Sequence, residues 1–353
     1  MKKRVLIVDD SASARFALRR LLEGSNAFEV VGEAQNEAEA VELAVSLRPD
    51  LVTMDVYLAG DDGLRATQEI MANAPTAVVV VTGLDARRAN LAFRATEVGA
   101  LDVLEKPSSV VNEQADHQRR RFVAALVTLS QIPLLGANRR AITPLPDPAL
   151  PFRSAPDRMP LVALGASTGG PSVLFRILKA LPAPFPAPIV IVQHIETGFG
   201  ASFAEWLSST GHAVELVTSP ARARPGHVFI APDDAHLRIS RDDLLTPVAG
   251  TPRGFQRPSI DELFESLALV RGRGTFAALL TGMGEDGAAG LLDLARHGAE
   301  TAAQAPASCI VASMPEAAIR RGAARFVLDP EGLARALRAF VGRTPTPVKG
   351  AKS

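Results

Sequence analysis

Disulfides are excluded at once, because the 353-residue chain contains a single cysteine, Cys309, and one thiol has no internal partner. Long apolar runs are missing too. The stretch Pro188 to Val192 is typical, and it falls far short of the roughly 20 residues a membrane-spanning helix needs. The basic start, Met1-Lys2-Lys3-Arg4, is followed by only Val5-Leu6-Ile7-Val8 before Asp9 and Asp10 interrupt. That is too brief for a signal peptide and suits a buried strand. Net charge is absent as well, with 38 Lys and Arg against 38 Asp and Glu. No basic excess favours nucleic acid or an anionic membrane. Together these absences predict a cytoplasmic protein with neither a nucleic-acid partner nor membrane insertion. Cys309 opens the run Cys309-Ile310-Val311-Ala312, which reads as a buried strand whose sulfur packs rather than attacks.

What is present is an ordinary globular mix, 47% hydrophobic and 22% charged, long enough for two domains. Over residues 1–125, apolar runs at Val5–Val8, Val30-Val31, Leu51–Met54, Ala77–Val81 and Val103-Leu104 read as strands. Helical patterns separate them. One covers Ala14–Leu22, with Phe16, Leu18, Leu21 and Leu22 as apolar members. Another covers Glu37–Leu47, with Ala40, Val41, Ala44 and Leu47 on one face. Continuous apolar strands alternating with helices predict an α/β domain of five doubly wound units around a parallel sheet. Residues 126–158 carry six prolines (Pro133, Pro144, Pro146, Pro148, Pro151 and Pro156), and read as a short helical tail and a semi-rigid linker.

From Met159 the alternation resumes, predicting a second, larger α/β domain over 159–345 with a mainly parallel sheet, followed by a polar tail over 346–353. Its strands are expected at Leu161–Leu164, Ile189–Val192, Val228–Ala231 and Phe276–Leu280. Its helices are expected at Pro171–Leu181, Ala201–Ser208, Ile260–Val270, Ala288–Arg296 and Pro315–Gly322.

In the first domain Asp9 and Asp10 follow strand one, Asp55 follows strand three, Thr82 strand four and Lys106 strand five. Carboxyl ends of parallel strands share one crevice, where ligands bind. Three crowded carboxylates suit a hard cation such as Mg²⁺. A carboxylate beside that ion can attack a phosphoryl group, and a hydroxyl and an ammonium can hold the phosphoryl oxygens. This reading makes Asp55 the acceptor, gives Asp9, Asp10 and Asp55 to the metal, and gives Thr82 and Lys106 to the phosphoryl group. These segments (Val8-Asp9-Asp10-Ser11, Asp55 followed by Asp62-Gly63-Leu64, and Lys106-Pro107-Ser108) resemble two-component receiver domains. Three positions depart: Ala59 replaces a usual proline, Asp61 a common methionine, and Val103 a usual switching aromatic.

The second domain carries Gly165-Ala166-Ser167-Thr168-Gly169-Gly170 between a strand and a helix, a G-x-S-x-G turn that exposes a serine hydroxyl. A nucleophilic serine needs a base, and the base an orienting group. Of six histidines, His194 alone is placed at a strand's carboxyl end. His117 lies on a charged helix, His297 at a helix end, and His212, His227 and His236 in loop-rich stretches. The loop Thr281-Gly282-Met283-Gly284-Glu285-Asp286-Gly287 follows another strand. Asp286 or Glu285 can orient His194, and backbone N–H groups there can stabilise an oxyanion. An alternative role for Asp286 is as a helix N-cap. The order Ser, His, Asp differs from that of the α/β-hydrolases.

These residues resemble the catalytic domain of the chemotaxis protein-glutamate methylesterases, the CheB family. Further matches are Val192-Gln193-His194, Arg257-Pro258-Ser259-Ile260-Asp261 and Met314-Pro315-Glu316-Ala317. The resemblance implies Ser167 as nucleophile, His194 as base and acid, and Asp286 as the orienting carboxylate. It also implies Met283 as an oxyanion-hole donor and Thr168 in the active site. It implies hydrolysis of glutamyl methyl esters on chemoreceptor helices, deamidation of some receptor glutamines, and no cofactor for the esterase. A chemotaxis histidine kinase would be the phosphoryl donor, with the unphosphorylated receiver covering the active-site face. Asp233, Ala305-Pro306 and Ser313 depart from a usual glycine, an acidic pair and a glycine. Competing readings are a catalytically silent signalling adaptor and an esterase or amidase with a non-receptor substrate. A DNA-binding output is disfavoured, since no basic recognition helix appears.

Overall fold

The computed structural model describes residues 2–58, 61–83, 86–107, 113–132, 152 and 159–342. The chain divides into two compact units, Met1–Pro144 and Leu145–Ser353. The proline-rich segment from 133 to 158, apart from Phe152, and the tail 346–353 lie outside the described residues, as do Ala59 and Ser108.

The first unit runs β1 (Lys3–Val8), α1 (Ala12–Gly24), β2 (Phe28–Ala34), α2 (Glu37–Leu47) and β3 (Leu51–Met54). A short antiparallel pair follows, β4 (Tyr57–Leu58) and β5 (Asp61–Asp62). Then come α3 (Gly63–Asn73), β6 (Ala77–Thr82), α4 (Ala86–Glu97), β7 (Asp102–Glu105) and α5 (Glu113–Leu129). Five parallel strands pair in the order β2-β1-β3-β6-β7. Every residue of β3 and β6 is buried, as continuous Val/Leu runs require when helices cover both sheet faces. Helix starts follow side-chain chemistry: Ser11 and Asn36 accept N–H groups from Ala14 and Glu39, capping α1 and α2. In α1 only Leu18 and Leu22 are buried. Phe16 is 61% exposed, with the Arg20 guanidinium 5.9 Å from its ring centre.

The second unit runs β8 (Leu161–Ala166), α6 (Gly170–Ala180), β9 (Ile189–Gln193), α7 (Gly200–Ser208), β10 (Ala213–Leu216), β11 (Ala221–Arg222), β12 (His227–Ile230), β13 (His236–Ile239) and β14 (Leu244–Val248). It continues with α8 (Ile260–Val270), β15 (Thr275–Leu279), α9 (Ala288–Arg296), β16 (Glu300–Gln304), α10 (Ser313–Arg320), β17 (Phe326–Leu328) and α11 (Pro330–Val341). Seven parallel strands pair in the order β10-β12-β9-β8-β15-β16-β17. The predicted α/β class with a mainly parallel sheet is therefore borne out, and a small antiparallel sheet, β11-β14-β13, is added to it. The core under the sheet joins Ile260, Leu263, Phe264 and Leu267 of α8 to Leu291 and Leu294 of α9. Phe152, inside the segment expected as linker, sets its ring edge-on against Phe326, Phe276 and Phe340, with centroids 5.7–6.5 Å apart.

Two expectations are corrected. Cys309–Ala312 is not a strand. It follows a 3₁₀ turn over Pro306–Ser308 and leads into α10. The real strand, β16, lies just before it and went unseen because Glu300, Thr301 and Gln304 are buried polar residues. Cys309 is half-buried, and desolvation pushes its thiol up to about 12, which leaves it unreactive. His227 and His236 open β12 and β13 instead of lying in loops; β12 begins one residue before the run expected at Val228–Ala231, and the exposed Arg238 interrupts the apolar run of β13.

Candidate active site

In both units the acidic and nucleophilic side chains follow strands at the point where strand order reverses, where α/β sheets bind ligands. In the first unit Asp9 follows β1 and Asp55 follows β3, which are neighbours at that reversal. Carboxylate oxygens of Asp9, Asp10 and Asp55 lie within 4.8 Å of one another. Asp9 and Asp55 are buried and Asp10 is exposed. A hard, oxygen-only donor set open on one side fits Mg²⁺. Lys106, after β7, places Nζ 2.5 Å from Asp55 Oδ2 and 2.7 Å from Asp9 Oδ2. Burial raises the Asp55 pKa above the ordinary carboxylate value, against the pull of Lys106. Burial alone would lower Lys106, but its bonds to Asp55 and Asp9 outweigh it and hold the ammonium above its usual value. Thr82 is fully buried, and its Oγ1 has no hydrogen-bond partner among the described residues, a donor able to meet an incoming oxygen. Val103 is half-buried and packs on the core of this unit.

In the second unit Ser167 follows β8, His194 follows β9 and Asp286 lies in the loop after β15, so the three come from adjacent strands. Ala166 pairs with Gln193, and His194 N–H donates to Ala166 O at 2.9 Å. Ser167 and His194 therefore follow paired positions on adjacent strands, and no hydrogen bond joins the serine hydroxyl to the imidazole among the described residues. The His194 Nε2–H donates to Asp286 Oδ2 at 2.8 Å. That bond fixes the tautomer and leaves the lone pair on Nδ1, which is buried and makes no hydrogen bond to any described residue. Ser167 is 8% exposed.

Asp286 accepts four bonds in all. The others come from Ser259 Oγ–H (2.8 Å), Ile260 N–H (2.7 Å) and Asp261 N–H (3.2 Å). Asp286 is thus a helix cap, but of α8 rather than of its own α9. The helix's own N-cap residue, Ser259, turns its hydroxyl onto the carboxylate instead. Burial would raise Asp286, yet the bonds and charge of His194 and the Ile260 and Ser259 donors hold its pKa below the ordinary value. It stays ionised. Glu285, the other candidate from sequence, is exposed and pairs with Arg321 at 2.7 Å and Arg320 at 3.5 Å. Asp261 beside it carries the opposite shift: burial, then the Asp286 charge, drive it up to about 6 despite the Gly290 N–H it accepts.

Several residues that sequence reasoning gave no role hold this geometry. Gln193 Nε2–H groups donate to Ser167 O and His194 O, each at 2.8 Å, clamping the two backbones. Only glycine fits at 170, where a Cβ would lie 2.1 Å from Gln193 Oε1. His236 Nδ1 accepts Ser259 N–H at 3.1 Å, while Nε2–H donates to Thr251 O at 3.0 Å. Thr281 Oγ1 donates towards Thr168 O at 3.0 Å and accepts Val311 N–H. Gly282 lies against the serine, for a Cβ there would fall 2.6 Å from Ser167 Cβ. Met283 follows and is 45% exposed. Asp233, where a glycine was expected, accepts Gly198 and Gly200 N–H at 2.8 and 2.9 Å and so caps α7. The arrangement can perform acyl transfer: a serine hydroxyl, an imidazole with a fixed tautomer, an ionised carboxylate and a nearby glycine-rich loop.

Comparison with known proteins adds two family matches: CheB methylesterase over residues 162–337 and response regulator receiver domain over residues 5–113. Protein-glutamate methylesterase/protein-glutamine glutaminase 3 of Anaeromyxobacter dehalogenans is 42% identical across 96% of this chain and 99% of its own. Number 4 of that name from Geobacter metallireducens is 40% identical across 96% and 98%. The crystal structure of the Thermotoga maritima CheB methylesterase catalytic domain covers 51% of this chain and 97% of its own, at 34% identity and a TM-score of 0.49.

Proposed function

Because the chain belongs to the CheB methylesterase family, with a response-regulator receiver domain in front, we propose that it is a phosphorylation-controlled protein-glutamate methylesterase and protein-glutamine glutaminase. The observation that carries the reading is the His194–Asp286 pair beside Ser167 at neighbouring strand ends. Its substrates are methylated glutamates, and certain glutamines, of chemoreceptor cytoplasmic helices. Its phosphoryl donor is a chemotaxis histidine kinase, and it works in the cytoplasm. Among the described residues no helix is long and apolar enough to cross a membrane.

Ser167 Oγ attacks the ester carbonyl as His194 Nδ1 takes its proton. Asp286 stays ionised and stabilises the imidazolium. The Met283 N–H meets the oxyanion, with Thr168 beside it. The imidazolium returns the proton to the leaving methoxide, giving methanol and an acyl-serine. Nδ1 then draws a proton from water as the hydroxide attacks the acyl carbon; the C–Oγ bond to Ser167 breaks, the imidazolium returns the proton to Oγ, and the glutamate carboxyl is freed. A glutamine follows the same course and releases ammonia.

In the receiver, Asp9, Asp10 and Asp55 would hold Mg²⁺, which when bound offsets the charge of the incoming phosphoryl group. Asp55 is the acceptor. Lys106 moves from carboxylate to phosphoryl oxygens, and the Thr82 hydroxyl donates to another. The added charge controls the esterase.

Methanol release from membranes bearing methylated receptors tests this, with and without acetyl phosphate and Mg²⁺. Release should vanish in Ser167→Ala. The phosphoryl donor should raise it in wild type but not in Asp55→Ala. Wild type without release under any condition would move the reading to another substrate or to the silent adaptor.

A further inference from the structure

Ser313, at the start of α10, stands where a glycine was expected and has no part in the chemistry above. Its half-buried hydroxyl brackets Met283. Oγ–H donates to Gly282 O at 2.9 Å, and Oγ accepts Gly284 N–H at 3.1 Å. Gly282 O also accepts Met314 N–H at 3.1 Å. The Gly282 carbonyl and the Met283 N–H are opposite ends of one planar trans peptide, so they point in opposite directions. Two donors on the carbonyl therefore fix the direction of the N–H. They also polarise the amide, which strengthens that N–H as a donor. Gly282 packs against Ser167, so the oriented peptide lies next to the nucleophile. A glycine at 313 would leave that carbonyl with Met314 alone and remove the acceptor for Gly284.

We propose that Ser313 is a positioning residue that orients and polarises the Gly282–Met283 peptide towards the tetrahedral intermediate. The proposal rests on the hydrolase reading, with Ser167 as nucleophile and Met283 as oxyanion donor. An oxyanion exists only at and near the transition state, so losing the strut lowers kcat and spares KM. Deleting a direct oxyanion donor costs about 10²–10³ in kcat, and loosening one through its support should cost about tenfold.

The test uses the full-length chain with phosphoryl donor, comparing wild type with Ser313→Ala, Ser313→Gly, Ser313→Thr and Ser167→Ala. Methanol release gives kcat and KM. Inhibition by a simple alkylboronic acid, which adds to serine as a tetrahedral anion, reports on the oxyanion site whatever the natural substrate. The Ala and Gly variants should lose about tenfold in kcat and in boronate affinity at unchanged KM, and Thr, which keeps the hydroxyl, should retain both. The Ala and Gly variants only remove atoms at a half-buried position, so they delete the hydroxyl without introducing a clash. An Ala or Gly variant within about twofold of wild type, a loss confined to KM, or a Thr variant as slow as Ala would each overturn the proposal. Activity surviving in Ser167→Ala would instead overturn the assignment of Ser167 as nucleophile on which the proposal rests.

Discussion

Asp286 does two jobs with one carboxylate, orienting His194 and capping α8. Asp286→Asn should therefore lower kcat by about 10⁴, since an amide can no longer hold the tautomer and balance the imidazolium. It should also lose about 1–3 kcal/mol of stability where an amide nitrogen faces the helix N–H groups; kinetics and denaturant melts read the two effects separately. The Asp286 pKa is depressed in the fold, so its stabilisation is complete above the unfolded value and disappears as pH falls through the folded one. Asp261 has the opposite sign. Its folded pKa of about 6 exceeds the ordinary 3.8, so the fold binds that proton more tightly, and stability drains away as pH rises between those values. Asp261→Asn should remove the decline, which is on the order of 2 kcal/mol, as seen in urea midpoints taken across that window. Placement at strand ends is what made Ser167, His194, Asp9, Asp55 and Lys106 legible in sequence. Ser259 and His236 were not, because they reach the site from segments with no strand-end signal; Ser259 lies 27 residues before Asp286. The motif Arg257-Pro258-Ser259-Ile260-Asp261 marked the place without revealing the contact.

Elements with a clear hydrophobic period matched closely: α2, α8 and α9 have the bounds expected from sequence. Polar burial defeated the same reasoning at β16, where Glu300 pairs with Arg325 at 3.0 Å and Thr301 donates to Ala323 O. β13 and β14 were hidden because the charged, exposed Arg238 breaks one apolar run and Thr246-Pro247 breaks the other. Helix caps supplied from elsewhere in the chain were also invisible. Asp233 lies 33 residues beyond the Gly200 N–H it accepts, so nothing local in the sequence shows that this departure from glycine serves α7. Asp233→Gly should cost about 1 kcal/mol, measured as a lower melting temperature, with the wild-type response to phosphoryl donor retained.

At the scale of the whole molecule, two doubly wound units carry their chemistry at strand-order reversals, one with a carboxylate cluster and one without. Among the described residues, Asp9, Asp10 and Asp55 form the group suited to a metal ion. Chelating Mg²⁺ with EDTA should thus abolish the increment due to acetyl phosphate and leave the Ser167-dependent basal release intact; a fall in basal release would point to a metal in the esterase. The two-unit pattern was legible because strand and helix periods restart after the prolines, whereas the order of the seven-stranded sheet depends on pairings no local pattern encodes. The double duty of Asp286 bears finally on descent. In a copy of this protein freed from catalysis, replacing Ser167 breaks no cap and replacing His194 removes one bond, but replacing Asp286 strands three donors of α8. Such relics should shed the serine first and keep the aspartate longest, so the aspartate marks ancestry and the serine marks a working enzyme.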